Sequence, residues 1–374
     1  MKKARILALY LPQFHPIPEN DRWWGPGFTE WTNVVRSKPR FPGHDQPQLP
    51  GELGFYDLRL AETRAAQAEL ALTHGIDGFC YYHYWFHGKR LLHRPLDDML
   101  AAGTPDMPFC LCWANENWTR AWDGMENEVL IAQEYDAADD LAHIRWLQRV
   151  FADPRYIRIK GRPLFLVYRP DKLPEPAATL ERWRLFSQEQ GIEAPYVCAV
   201  TSGLTDMDEP TLLAQGYDAI MGFHPNRKDF PPADTWQGRI IQVARKYLPS
   251  WLYQRLKSHA PVMQRVSYAK YVEGQARRPW PKAWHKWPCV FPSWDNSARR
   301  TSPTIVQNES PEAFAAWLKH AIECVDDYPE DERLVFINAW NEWAEGCHLE
   351  PDMKHGRAML EAVRGVVQGK ASHR

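Results

Sequence analysis

Eight short apolar runs recur along this chain, and most are followed by a stretch with helical spacing. The runs are Ile6–Tyr10, Gly78–Tyr82, Phe109–Trp113, Leu164–Tyr168, Tyr196–Val200, Ala219–Gly222, Val290–Pro292 and Leu334–Asn338. Continuous apolar runs fit parallel strands buried on both faces. The helical stretches fall at about Leu58–His74, after Pro95, and at Ala137–Phe151, Ala177–Gln190, Thr211–Gln215, Pro311–Cys324 and Met353–Val367. Strand–helix alternation predicts βα units on a parallel sheet, and eight of them predict an α/β fold closed as a (β/α)8 TIM barrel. A length of 374 residues suits one decorated barrel spanning 1–374. One segment breaks the rhythm, the basic stretch 225–289 between the sixth and seventh runs, which reads as an insertion or lid.

A barrel gathers its chemistry at the C-terminal ends of its strands. The first run leads from Tyr10 to His15, and the second ends in Tyr82 and His83. The third runs into Trp113, Asn115, Glu116 and Trp118, the sixth into His224, and the seventh into Asp295. The last run leads to Asn341, Glu342, Trp343 and Glu345. Glu342 and Glu345 are three positions apart. In an extended strand their side chains would diverge, but in a turn beyond the strand end they can converge. Cleaving a glycosidic bond needs a proton for the leaving oxygen and a carboxylate or base on the other side of the sugar. Two close carboxylates raise each other's proton affinity, which keeps one an acid near neutral pH. These two are the candidate catalytic residues. Glu116 is the third carboxylate in reach.

Tryptophan is abundant, with 18 copies. Aromatic residues fill cores, but those beside polar loop residues, Trp24, Trp31, Trp113 and Trp118, are candidates to stack on sugar rings. The net charge of −2 gives no bulk attraction for nucleic acid. Residues 239–257 alternate apolar and basic positions, a pattern compatible with peripheral contact to an anionic membrane, although a solvated face is the plainer reading. Seven cysteines without paired spacing read as buried thiols in a reducing compartment, the cytoplasm. The Lys-rich start before Ile6 imitates a signal peptide, but its apolar run is too short, and it reads as the first strand. His83 and His87 could pair on a metal only with further ligands, and no acid or cysteine stands beside them, so no metal and no cofactor are expected. A Gly-rich diphosphate loop at a helix start, or an Asp-x-Asp clasp, would mark a nucleotide-sugar site, and neither motif is visible.

The motif Trp340-Asn341-Glu342-Trp343-Ala344-Glu345-Gly346, with Leu349-Glu350-Pro351, resembles that of glycoside hydrolase family 99, endo-α-mannosidases and endo-α-mannanases on (β/α)8 barrels. Leu9-Tyr10-Leu11-Pro12-Gln13-Phe14-His15, the stretch Trp24 to Trp31, Phe79 to Phe86 and Trp113 to Trp118 are similar to the WbsX-type, family 99-like proteins of bacterial surface-polysaccharide clusters. The resemblance covers almost the whole chain. It implies that Glu345 is the general acid and base. It implies that Glu342 assists attack by the sugar's own 2-hydroxyl, through a 1,2-anhydro intermediate with net retention, and that Glu116 binds hydroxyls. Ala344 stands where family 99 usually has His. The expected function is a retaining glycoside hydrolase acting on an α-linked mannose- or deoxymannose-containing bacterial polysaccharide. The alternative is a glycosyltransferase or accessory glycan-processing protein in O-antigen or capsule biosynthesis.

Overall fold

The computed structural model describes residues 4–120, 125–232, 240, 243–244, 247–249, 263–282 and 284–369. Eight parallel strands close into a barrel: β1 (Arg5–Tyr10), β2 (Gly78–Phe86), β3 (Phe109–Trp113), β4 (Arg162–Val167), β5 (Tyr196–Thr201), β6 (Ala219–Gly222), β7 (Lys286–Val290) and β8 (Leu334–Ile337). Each strand pairs with its neighbour in chain order. Closure comes from β1, which pairs with β2 through Leu7↔Gly78 and with β8 through Ile6↔Val335. The (β/α)8 expectation therefore holds.

The strands are apolar because both faces are covered. All four residues of β8 are completely buried. The helices α3 (Ala61–Thr73), α4 (Arg94–Ala102), α5 (Ala137–Phe151), α6 (Pro176–Glu189), α7 (Glu209–Ala214), α8 (Tyr268–Ala276), α9 (Pro311–Cys324) and α10 (Ala358–Val367) follow or flank the strands. Two further helices, α1 (Pro18–Trp24) and α2 (Glu30–Arg36), lie in the long loop after β1. Their starts are written locally. Asp136 caps α5 by accepting from the Asp139 N–H at 2.7 Å. Ser310 caps α9 with Pro311 in its first turn, where no N–H is needed.

The period-two rule sorts β2. Tyr82, Tyr84 and Phe86 point into the barrel mouth, whereas Tyr81, His83 and Trp85 point out toward α4 and α5. The seventh strand lies at Lys286–Val290 rather than at Val290–Pro292. Pro288 disguised it, but that proline sits opposite Gly222, where β6 ends, so its missing N–H is tolerated. The last helix starts at Ala358 rather than Met353.

Much of the expected 225–289 insertion, including most of 239–257, lies outside the described residues. Within it, α8 and a short strand, Gln264–Ser267, pack beside the barrel, and Ile240 and Tyr247 are exposed. Among the described residues no helix is long and apolar enough to cross a membrane.

Candidate active site

At the C-terminal mouth of the barrel lies a cavity of about 300 Å³. Its walls come from every strand end. Leu11 follows β1, Tyr82 and Tyr84 lie in the second half of β2, Glu116 and Trp118 follow β3, and Tyr168 follows β4. Ser202 follows β5, Phe223 follows β6, Arg299 follows β7, and Glu342 and Glu345 follow β8. Carboxylates and aromatic rings thus share one concave space, the combination that holds and protonates a sugar.

The two β8 carboxylates meet on one guanidinium. Arg299 Nη2 lies 2.6 Å from Glu342 Oε1, and Nη1 lies 3.3 Å from Glu345 Oε1. Behind them, Glu30 at the start of α2 is completely buried and places Oε1 3.0 Å from Arg299 Nη2. One buried cation therefore serves three acids. Burial opposes the Arg299 charge, but Glu30, Glu342 and Glu345 outweigh it and hold the guanidinium protonated. Burial raises Glu342 well above the usual carboxylate range, with Arg299 opposing and Glu345 and Glu30 adding to the rise. Burial likewise raises Glu30, against Arg299.

Local backbone geometry makes the two glutamates converge. Asn341–Glu342 pairs antiparallel with Cys347–His348, and Trp343–Glu345 between them forms a 3-10 turn. Gly346 ends that turn at φ 54°, in the left-handed region. A Cβ there would also stand 3.0 Å from the Asp295 backbone, so glycine is required twice over. The Asp295 N–H donates to the Glu345 carbonyl at 2.8 Å, and Ser293 Oγ–H donates to the Gly346 carbonyl at 2.7 Å, tying the β8 turn to the loop after β7.

A further buried carboxylate supports the turn from beneath. Glu350 accepts from Tyr56 Oη at 2.8 Å, Gln67 Nε2 at 2.6 Å and Trp343 Nε1 at 2.7 Å. Burial pushes its pKa up to about 7, although these donors hold it down in part. Trp343 itself stacks on His348, with ring centroids 3.7 Å apart.

Of the residues the sequence singled out, Tyr82, Glu116, Trp118, Glu342 and Glu345 line the cavity. Glu116 is ion-paired with Arg169, which also reaches Asp171 at 2.8 Å. The others stand around or behind the cavity. Tyr10 points outward and donates to Gln67 at 2.7 Å. His15 is buried, and burial lowers its pKa to about 4. Trp24 stacks on Phe28, and Trp31 donates its indole N–H to the Tyr56 carbonyl.

His83 faces His143 on α5 with 3.0 Å between Nε2 atoms, while His87 pairs with Asp136 at 2.9 Å. Trp113 packs on His143 and Trp183, again on the helix side. Asn115 braces the Arg169 backbone through both its amide atoms. His224 lines a separate cavity of about 270 Å³ between the barrel and α9, bonded to Tyr271 Oη at 2.6 Å. Asp295 accepts from Gln46, meets His44 at 2.7 Å, and caps the 296–298 turn. Asn341 accepts from the Leu11 N–H at 2.7 Å and donates to its carbonyl at 3.1 Å. Trp343 is occupied by Glu350. For these residues the side-chain direction is set by packing, so proximity to a strand end did not bring them into the cavity.

Sequence reading missed Glu30 and Arg299. A signal was present for each. Glu30 lies inside the Trp24–Trp31 stretch, between Thr29 and Trp31. Arg299 and Arg300 form a basic pair a few residues past the end of β7, on the face where acids collect. Among the described residues no group of three or more His, Cys, Asp or Glu is arranged to hold a metal ion, and the three acids at this site converge on the guanidinium.

A family model described as "Glycosyltransferase WbsX" matches residues 6–363. Proteins described as "Uncharacterized protein WxcX" from two strains of Xanthomonas campestris pv. campestris are each 43% identical over 363 residues, 96% of this chain and 49% of theirs. The chain thus spans about half the length of these curated relatives. A solved "Glycoside hydrolase-like protein" superposes with TM-score 0.60 at 13% identity, covering 98% of this chain and 94% of that one. The GH99 endo-α-mannosidase from Bacteroides thetaiotaomicron superposes with TM-score 0.53 at 15% identity, covering 98% and 97%. Its complex with bis-tris-propane gives 0.54 at 14%, covering 99% and 97%. At such identities these structures share the fold alone.

Proposed function

The chain belongs to the WbsX glycosyltransferase family, and on that premise we propose that it is a retaining glycosidase acting on an α-linked, mannose- or deoxymannose-containing bacterial surface polysaccharide. The observation that carries this reading is the convergence of Glu342 and Glu345 on one buried guanidinium at the floor of an aromatic-lined cavity. Glu345 is the more accessible of the two, with 20% of its side chain exposed against 8% for Glu342, and it has the longer contact to Arg299. It suits the acid that protonates the leaving oxygen. Glu342, whose proton affinity burial raises, is a strong base once ionised and suits removal of the proton from the sugar's 2-hydroxyl.

In the first step O2 attacks C1, Glu342 takes the hydroxyl proton, the C1–O bond breaks, and Glu345 gives its proton to the departing sugar. In the second step Glu345 takes a proton from water, the water oxygen adds at C1, the C1–O2 bond of the anhydro intermediate breaks, and Glu342 returns its proton to O2. Both carboxyls end as they began. Trp118, Tyr82 and Tyr168 supply ring faces and hydroxyls to the sugar, and Glu116, fixed by Arg169, accepts from its hydroxyls. The unpaired thiols fit a reducing compartment.

The family's description favours a second outcome at the same centre: a sugar hydroxyl, in place of water, opens the intermediate and the result is transfer. Incubation with α-linked bacterial glycans, with and without nucleotide sugars and read by mass spectrometry, separates them: hydrolysis gives only shorter chains, transfer from a glycan gives lengthened chains without nucleotide, and a nucleotide-sugar donor gives growth that depends on it. Nucleotide-independent release of reducing ends is expected. Glu342→Gln and Glu345→Gln should each lower turnover by about 10²–10⁴-fold. Unchanged turnover in both variants, or nucleotide-dependent chain growth, would sink the glycosidase reading.

A further inference from the structure

Beside the cavity mouth, Arg36, Lys38, Arg40 and Arg265 form a cationic strip that no carboxylate among the described residues pairs with. Arg300 lines the cavity next to Arg299. Arg40 lies against the same loop, donating from Nη2 to the Ser297 carbonyl at 2.8 Å and the Arg300 carbonyl at 3.1 Å. Arg36 and Lys38, both exposed, share with Arg40 a shallow depression against Ser297 and Ala298. Arg265 continues the row, its guanidinium 4.2 Å over the Phe41 ring and bonded to the Gln307 side chain.

Among the described residues no carboxylate pairs with Arg36, Lys38, Arg40 or Arg265. Asp45, the nearest acid along the chain, is taken by Lys354 at 2.9 Å. Elsewhere on the surface the pattern is different. Arg59, Arg94, Arg357 and Arg364 each meet a carboxylate. A bland account exists for Arg36, which ends α2 and so faces its negative pole. It does not extend to Lys38, Arg40 or Arg265. The net charge of −2 conceals this ridge because acids elsewhere balance it.

We infer that the Arg36–Arg40 ridge with Arg265 is an outer arm of the catalytic cleft that binds anionic groups, carboxylate or phosphate, carried by the glycan chain. This rests on the cavity being a glycan site. The ridge abuts the 296–300 loop that supplies Arg299 and Arg300, so a chain leaving the cavity past Arg300 meets Arg40 next. Arginine forks bind carboxylate and phosphate oxygens in pairs, and neutral hydroxyls gain far less from them. The substrate class is therefore an acidic polysaccharide, with the bond to be cleaved held over Glu342 and Glu345 and a charged residue on the ridge.

The test is calorimetric binding of three probes to the intact chain: an α-linked oligogalacturonate, its carboxyl-reduced counterpart and a phosphorylated α-mannan oligosaccharide. At about 20 mM salt the charged probes should bind at least about tenfold tighter than the reduced one, and the gap should shrink at about 200 mM. Which charged probe binds tighter identifies the anion. Arg36→Gln/Lys38→Gln removes two side chains that bond to nothing else among the described residues, so folding is spared. It should weaken the charged probes at least about fivefold and leave the reduced one unchanged. Equal binding of charged and reduced probes, or a double variant that binds like the parent, overturns the ridge. So does binding to vesicles of phosphatidylcholine with phosphatidylglycerol that the double variant loses while every oligosaccharide is ignored. Cleavage of a neutral glycan that depends on both glutamates, without any preference for charge, overturns the ridge and leaves the glycosidase reading standing. Ridge-dependent binding without cleavage of any glycan does the reverse.

Discussion

Replacing Arg299 by methionine keeps an unbranched apolar stem, though a shorter one, and deletes the charge that three acids share. At separations of 2.6, 3.0 and 3.3 Å, each pair attracts by about 5–6 kcal/mol at an effective dielectric of ~20. Most of that is offset by the cost of burying the ions. What remains after one partner is removed is an uncompensated buried charge, at about 3–5 kcal/mol. The loss should depend on pH in a definite sense. Glu30 and Glu342 bind protons more tightly in the fold than the 4.5 of a free glutamate. Their burial therefore destabilises little below that value and progressively more as pH rises. Arg299 restrains this rise, and methionine does not. The gap between parent and variant should be small near pH ~4.5 and wide near pH ~8.

Urea unfolding, followed by tryptophan fluorescence at both pH values, measures it. Adding Glu30→Gln to Arg299→Met removes one of the stranded carboxylates and should restore about 1–2 kcal/mol. Coincident unfolding of parent and variant at both pH values would refute the account, as would a gap that does not widen with pH.

Glu350→Gln tests the support under the Trp343–Glu345 turn. An amide presents an N–H₂ to donors that all need an acceptor, which should cost about 1–3 kcal/mol. With its pKa pushed up to about 7 from 4.5, Glu350 makes the parent lose stability as pH rises from 4.5 to about 7 and then level off. The variant should lack that contribution to the slope, and an unchanged slope in urea titrations would count against it. The seven cysteines give a simpler check. Six are buried and Cys324 is half-buried, with burial pushing its thiol up to about 11. Ellman's reagent should find at most one slow thiol in the native chain and all seven after unfolding, and rapid reaction of several native thiols would contradict the packing.

The barrel was legible because its strands announce themselves. Phe109–Trp113, Ala219–Gly222, Ala137–Phe151 and Pro311–Cys324 lie where apolar runs and helical spacing put them. Lys286–Val290 was obscured by a proline and a terminal lysine that only pairing with β6 makes sense of. At the site, the sequence brought out acids that follow strands. It did not bring out Arg299 and Glu30, whose pairing joins two loops that only the closed barrel sets side by side. His83 and Trp113 show the opposite error. Trp113 ends β3 and His83 follows the expected end of β2, which in fact runs on to Phe86, but the alternation of side chains turns both toward α5, and a reading that stops at the strand end cannot choose between odd and even positions without a fixed register. The Arg36–Arg40 ridge was equally hidden, since a basic run gains meaning only from the acids that fail to reach it.

The clamp between Asn341 and the Leu11 backbone joins positions 330 apart in the chain, and Tyr56 and Glu350, 294 apart, join beside it. Contacts across such spans form late, because the entropy of closing long loops is spent before they return anything. The first strand must wait for the last. Until the two meet, Arg299 lacks Glu30 and the ring of strand ends around the cavity stays open. During refolding, helical signal should return ahead of turnover, and the appearance of activity should mark the moment at which the ring is complete.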